Sequence, residues 1–324
     1  MYKSEHIWYN VSREELEKAI YLCGNFHYKL KSKIFKDYYI NSYFQDNILL
    51  EKLRKIHFSE EKSNVSSITP IANLYINSKN DKNFLQEKGM PYPSINNKFV
   101  CLYSSTNNTA LIIGGSIYGL VKSLIYGVGT YNTLRDGYFP VHGLAIKIKN
   151  QGILFVGGNK SGKSTLLLEL YKKYNDISVA TDDWSVINLK NNNVVCQGVD
   201  TFFSYKNNLS NDINHPKKYI PLKEFKNAKY LNKEFIINKI FFLDINEKKV
   251  SIETINSDIA SKILVEASYH SPWGCNKNLE TEEQELQNIL SHLQVKLFYS
   301  YTNNILNFNE ILETLTNDLN LPKI

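Results

Sequence analysis

The sequence predicts an α/β fold in which a mixed sheet is flanked by helices, preceded by an N-terminal α+β region. Two adjacent features carry this prediction. The short apolar run Ile153–Val156 is typical of a strand buried on both faces, and a leucine-rich helical pattern begins at Leu166, directly after a glycine-rich segment. We divide the chain into 1–114, an α+β region of unknown role, and 115–324, which contains the sheet.

The N-terminal region should begin with helix and continue with strands. Ser12 is followed three positions later by Glu15, the pattern of a capping box, and apolar residues recur at helical spacing, which predicts helix over 12–56. Strands are predicted at 71–76, 99–103 and 109–114. A polar stretch with Gly89, Pro91 and Pro93 should form a loop.

The second region should alternate between helices and strands. We predict a helix over 116–135, a strand over 141–149 and a tight turn at 150–152 before the buried strand. The α/β core should extend from about 115 to 260, and a helical tail over about 281–319 should close the chain. The apolar stretch 110–131 is not expected to cross a membrane, because Lys122 in its middle would cost about 2.5–3.5 kcal/mol.

Composition limits the classes of function. Hydrophobic residues make up 43% and charged residues 22% of the 324 residues, as in soluble globular proteins. The net charge of +6 is spread as lysine with only three arginines, which favours an anionic ligand and argues against nucleic acid. Scattered cysteines without a CxxC pair, and an N-terminus without a signal peptide, predict a cytoplasmic protein without structural zinc.

The strongest motif is a phosphate-binding loop. Residues 157–164 fit G-x-x-x-x-G-K-[ST] and lie between a strand and a helix. Glycines let successive N–H groups point at phosphates, Lys163 can bridge the β- and γ-phosphates, and Ser164 can ligate magnesium. The predicted ligand is a nucleoside triphosphate with Mg²⁺, with the choice between ATP and GTP open. The candidate binding residues are Gly157, Gly158, Asn159, Lys160, Ser161, Gly162, Lys163, Ser164 and Thr165.

A carboxylate must complete the magnesium site, and the sequence offers two positions. Asp182 and Asp183 follow the strand Ile177–Thr181, and adjacent carboxylates repel each other unless a cation or a proton lies between them. One could contact magnesium while the other accepts a proton from a hydroxyl. Asp244 ends another apolar strand, but the residues after it indicate a hairpin turn, so we favour the pair.

Three elements together resemble the catalytic domain of HPr kinase/phosphorylase. They are 134–143 with His142-Gly143, the phosphate loop, and Thr181-Asp182-Asp183. The segment is most similar to HPr-kinase-related proteins that include the peptide serine kinases of lasso-peptide clusters, a group related to phosphoenolpyruvate carboxykinase. The likeness covers about 115–190 well and extends weakly to about 245.

The resemblance implies roles for several residues. Asp182 and Asp183 would share the roles of catalytic base and magnesium partner, in an order left open, and His142 would face the site. Such kinases recruit a basic residue from further along the chain. No arginine follows Arg135, so Lys217 or Lys218 would take that role, with Lys160 as an alternative.

The expected function is therefore an ATP- and Mg²⁺-dependent kinase that phosphorylates a hydroxyl. A serine or threonine of a peptide or small protein follows from the resemblance, and a small-molecule alcohol remains an alternative acceptor. A nucleotide-dependent regulatory module without catalysis is the alternative from another class. Membrane and nucleic-acid partners are not expected, and a homo-oligomer is possible by analogy.

Overall fold

The computed structural model describes two compact units, one within residues 3–133 and one within 134–268 and 278–324. The described residues are 9–35, 38–57, 70–80, 83–93, 99–104, 106–114, 137–158, 161–174, 176–200, 202–205, 218–224, 228–245, 250–268, 279–300 and 308–321. The helix predicted over 116–135 lies outside them.

The N-terminal unit contains a six-stranded mixed sheet in the order β1-β5-β6-β4-β3-β2. Its strands are β1 (Tyr9–Asn10), β2 (Tyr28–Phe35), β3 (Tyr38–Phe44), β4 (Ala72–Asn77), β5 (Val100–Ser104) and β6 (Thr109–Ile113), and its helices are Arg13–Cys23, Asn47–His57 and the short Phe84–Glu87. The three predicted strands are confirmed. The stretch predicted as loop contains the short helix.

The prediction of continuous helix over 12–56 is wrong in its middle, where β2 and β3 lie. The first helix has the predicted capping box between Ser12 and Glu15, but it ends at Gly24, whose φ of 84° is a left-handed conformation that favours glycine. After it the exposure alternates, since Leu30 and Ser32 are buried while Lys29 is exposed and Lys31 is partly exposed. A period of two places alternate side chains on opposite faces of a sheet, so these residues form strand.

The second unit is built on a larger mixed sheet in the order β15-β11-β10-β7-β8-β16-β18-β17, with β9 paired to β7 and β14 to β9. Its strands are β7 (Phe139–Ile148), β8 (Gln151–Val156), β9 (Ile177–Thr181), β10 (Trp184–Lys190), β11 (Asn193–Gly198), β14 (Ala228–Tyr230), β15 (Phe235–Ile236), β16 (Lys239–Ile245), β17 (Ser251–Thr254) and β18 (Gln294–Ser300), while β12 (Phe202–Tyr205) and β13 (Lys218–Pro221) pair separately. The mixed α/β class is confirmed.

Helices cover this sheet and bury its core. They are Lys163–Lys173, Ser257–Ser268, Leu279–Ser291 and Phe308–Asp318, with a 3-10 turn at Leu222–Glu224. Leu166 and Leu170 of the first pack with Phe155, Phe241 and Leu315 in one buried cluster. Among the described residues, no helix combines the length and apolar character needed to cross a membrane.

Three details of the second unit differ from prediction. The tail predicted as helix contains β18, which lies inside the sheet between β16 and β17. Because β17 pairs with β18, the hairpin predicted after Asp244 does not form between β16 and β17. The turn before β8 falls at 149–150, one residue earlier than predicted, because Gln151 already pairs with Ile148.

Candidate functional site

Three strand ends meet at one edge of the larger sheet. β7 is antiparallel to both β8 and β9, so its beginning lies beside the ends of the other two. Gly143 pairs with Val156, the last residue before the phosphate loop, and Ala145 pairs with Thr181, the last residue before the aspartate pair. The sheet therefore brings together three segments that are up to 41 residues apart in sequence.

The phosphate loop leaves β8 at Gly157 and enters its helix at Gly162. Gly162 has a φ of 93°, which favours glycine, and the helix begins at Lys163. A Cβ at Gly157 would lie 2.5 Å from Ser161 Oγ and 3.0 Å from Leu243 O, so a larger residue would not fit. Ser161 is buried, and its Oγ has no hydrogen-bond partner among the described residues. A buried hydroxyl in a glycine-lined loop suits an anionic ligand that accepts its proton.

Lys163 is folded into this loop. Its side chain is 8% exposed, and Nζ donates to the carbonyl oxygens of Gly157 at 2.5 Å and Gly158 at 3.2 Å. The ammonium group therefore lies inside the loop, within reach of an anionic ligand that the loop would hold.

Asp182 faces the first turn of the loop helix. The residue is 2% exposed, and its carboxylate accepts a hydrogen bond from Ser164 Oγ, at 3.0 Å to Oδ1 and 3.3 Å to Oδ2. The hydroxyl and the carboxylate are both hard oxygen ligands, the kind that Mg²⁺ takes from proteins while phosphates and waters fill its other positions. This pair of side chains fits a magnesium ion held against the phosphate loop.

Asp183 faces the other way, toward His142. Asp183 Oδ1 lies 2.6 Å from His142 Nε2, a short hydrogen bond in which the imidazole N–H donates to the carboxylate. The His142 side chain is 8% exposed and that of Asp183 is 26% exposed, so the carboxylate reaches solvent while its partner is enclosed. The backbone adds a second link, because Gly143 N donates to Asp183 O at 2.9 Å.

Glycine is required at position 143 by close packing. A Cβ there would lie 2.7 Å from Phe155 O on β8, closer than side-chain carbons approach a carbonyl. On the other side His142 packs against the ring of Trp184, with centroids 5.3 Å apart. The His-Gly pair is thus fixed between two strands, which sets the direction of the imidazole.

Sequence reasoning missed two residues that fix the turn of the aspartate pair. Thr181 Oγ1 accepts hydrogen bonds from the backbone N–H groups of Asp183 and Trp184, and Asp200 Oδ1 accepts a second bond from Trp184 N. A threonine directly before a turn is a recognisable signal. Asp200 lies sixteen residues beyond Trp184, and only the fold brings it to the turn.

Some of the remaining predicted residues lie in described elements, and others lie outside the described part of the chain. Thr165 lies in the first turn of the loop helix, and Lys218 begins β13, a strand paired with β12. Asp244 is exposed near the end of β16, the parallel neighbour of β8. The predicted residues outside the described part of the chain are Asn159, Lys160 and Lys217.

Among the described residues, no group of three or more His, Cys, Asp or Glu side chains is placed to hold a metal ion. A magnesium ion that enters with a nucleotide does not need such a group, because it is bound through one or two carboxylates together with phosphates and water. Ser164 and Asp182 supply donors of this type.

Comparison with known proteins found neither a matching family model nor a curated protein similar to this chain.

Proposed function

We propose that this chain is an ATP- and Mg²⁺-dependent kinase that transfers the γ-phosphoryl group to a hydroxyl, of the HPr kinase type that the sequence resembles. One observation carries the proposal: the two adjacent carboxylates have different partners. Asp182 contacts the phosphate-loop hydroxyl of Ser164, and Asp183 contacts His142. These contacts support a metal role for Asp182 and a proton-transfer role for Asp183.

The division of roles follows from the contacts. Lys163 and the loop N–H groups would hold the β- and γ-phosphates, while Ser164 and Asp182 would hold the magnesium ion, which when bound neutralises charge on the phosphates. Asp183 would accept the proton of the acceptor hydroxyl as that oxygen bonds to phosphorus and the bond to the leaving ADP breaks. His142 would orient the Asp183 carboxylate through the bond at 2.6 Å.

This arrangement favours a kinase over a nucleotide-dependent regulatory module. A module that only binds nucleotide needs the loop and one metal-side carboxylate. It has no use for a second carboxylate that is oriented by a buried histidine and reaches solvent at 26% exposure. A base for a substrate hydroxyl needs both properties, since it must be oriented and must be accessible to the acceptor.

The acceptor class comes from the resemblance. A serine or threonine of a peptide or small protein is our first choice, with a small-molecule alcohol as the alternative. We also infer a cytoplasmic setting, because the described cysteines Cys23, Cys101 and Cys196 are buried free thiols, which suits a reducing compartment.

The test is ADP formation by the purified chain with Mg-ATP, alone and with a panel of acceptors that includes serine-containing peptides and small alcohols. Acceptor-dependent turnover should be lost in Lys163→Ala, which removes the charge held in the loop. Lys172→Ala, on the exposed side of the same helix, serves as the matched control and should retain turnover. Tight ATP binding without turnover for every acceptor would contradict the kinase proposal and favour the regulatory module.

A further inference from the structure

The turn Thr181–Trp184 carries both site carboxylates, and its backbone is held by side chains. Asp183 N donates to Thr181 Oγ1 at 3.2 Å, and Trp184 N donates to the same oxygen at 3.0 Å. Trp184 N also donates to Asp200 Oδ1 at 2.9 Å. These bonds involve the backbone at and directly after Asp183, so they restrict the direction in which that side chain leaves the turn.

Asp200 reaches this turn through an unusually close approach of two strands. At Gly198 an added Cβ would lie 2.0 Å from Ala180 O, so only glycine lets the end of β11 lie against the end of β9. Val199 N then donates to Trp184 O at 2.9 Å, which links the chain on both sides of Trp184 to the segment that carries Asp200.

The complete burial of Asp200 indicates that its hydrogen bond to the turn is a fixed part of the fold. The residue is 0% exposed, and a fully buried carboxylate is costly unless it is hydrogen-bonded. Burial, with a smaller contribution from the Asp200 carboxylate, raises the pKa of Tyr230 to about 12, so this neighbouring hydroxyl stays protonated at neutral pH. The backbone N–H of Trp184 supplies a hydrogen bond to this buried carboxylate.

We propose that Asp200 is a positioning residue for the site: its buried carboxylate, together with Thr181, holds the Trp184 N–H and so keeps Asp183 against His142. This inference rests on the proposed kinase function for its effect on rate. Its structural content, a backbone anchor for the Asp183–His142 bond, stands independently of that function. Asp200 itself contacts neither nucleotide nor acceptor in this proposal.

The first test compares Asp200→Ala with Asp200→Asn. The alanine variant loses the acceptor for Trp184 N, whereas the carboxamide oxygen of asparagine can still accept it. We expect kcat to fall about 10- to 100-fold in the alanine variant, the range that loss of one hydrogen bond to a site element allows. KM for Mg-ATP should stay within about threefold, because the three bonds of this anchor end on the backbone N–H groups of Asp183 and Trp184, whereas Asp182 is also held by Ser164. Asp200→Asn should recover most of kcat.

A second pair of variants, at Thr181, tests the anchor even if Asp200→Ala fails to fold. Thr181→Val removes the other acceptor at nearly constant volume, and Thr181→Ser retains it. We expect a lower kcat for valine and a near wild-type kcat for serine, with thermal unfolding of both measured as a control. The positioning role would be overturned by equal kcat values for the two variants of each pair. It would also be overturned by a rise in KM for Mg-ATP as large as the fall in kcat.

A readout that does not depend on catalysis separates this inference from the kinase proposal. The ¹⁵N resonance of the His142 imidazole at a fixed pH reports its hydrogen bond to Asp183. It should shift in Asp200→Ala and remain close to wild type in Asp200→Asn. A shift without any kinase turnover would uphold the anchor and reject the kinase, whereas an unchanged resonance in Asp200→Ala would reject the anchor.

Discussion

His142→Ala removes the hydrogen bond that orients Asp183, and its effect on kcat can be worked out from the structure. The bond joins Nε2 to Oδ1 at 2.6 Å and involves a charged carboxylate. Hydrogen bonds to charged groups contribute about 1.5–3 kcal/mol, and each 1.36 kcal/mol corresponds to about a tenfold change in rate. If the whole contribution acts on the transition state, kcat should fall about 10- to 150-fold.

A double-mutant cycle tests whether His142 acts through Asp183. Asp183→Asn removes the proposed base and should cost about 10²- to 10⁴-fold in kcat. Because the histidine has no further role once the base is gone, the double variant should be about as slow as Asp183→Asn alone. The assay is acceptor-dependent ADP formation at saturating Mg-ATP.

Matched variants separate catalysis from folding. The His142 side chain is buried and packs on Trp184, so alanine also leaves a gap, and thermal unfolding must be measured for each variant. His142→Gln keeps a side-chain N–H and should recover part of kcat. Losses in the two single variants that multiply in the double variant, or a His142→Ala effect confined to KM for ATP, would refute the proposed orientation of the base.

Two further predictions concern the metal and the N-terminal helix. Asp182→Asn should weaken the Mg²⁺-dependent part of ATP binding, measured by calorimetry, while ATP binding without Mg²⁺ persists. The control Asp244→Asn should leave ATP binding unchanged with and without Mg²⁺. A larger loss of Mg²⁺-dependent binding in Asp244→Asn than in Asp182→Asn would instead place the metal at the end of β16. Hydrogen bonds from the Ser12 side chain and backbone lower the pKa of Glu15 in the folded protein. The ionised carboxylate therefore stabilises the fold above the ordinary carboxyl pKa of about 4.3, and this stabilisation is lost as the pH falls through the pKa of Glu15 in the folded state. The gap in melting temperature between wild type and Glu15→Gln should therefore close as the solution is acidified, with Glu14→Gln as the control; a gap that widens in acid would contradict this sign.

Local chemistry explains which elements were predictable. The phosphate loop, its preceding strand and its helix follow from a contiguous pattern of apolar residues and glycines, and the capping box at Ser12 follows from residues three positions apart. Helical spacing failed over 24–44, where Gly24 ends the helix and the pairing of β2 with β3 supplies the hydrogen bonds. Pairing between strands is a tertiary event that a local pattern does not record.

The same limit applies to β18. Its residues follow a helix, and without its neighbours the segment reads as a continuation of that helix. In the fold it fills the position between β16 and β17, where both of its edges are hydrogen-bonded. Satisfying backbone groups inside a sheet outweighs local helix preference, because buried backbone polar groups without partners are costly.

The sequence by itself determined that residues 157–164 fit the phosphate-loop pattern and that two adjacent carboxylates follow after one helix and one β-strand. It left the roles of those carboxylates equivalent, because neighbouring aspartates are chemically identical until their surroundings differ. Tertiary structure makes their surroundings different, since the sheet places Ser164 beside Asp182 and His142 beside Asp183. It also brings Asp200 within hydrogen-bond distance of Trp184 N, directly after the two aspartates. Packing of the fold makes this contact, and the separation of the residues in the sequence does not reveal it.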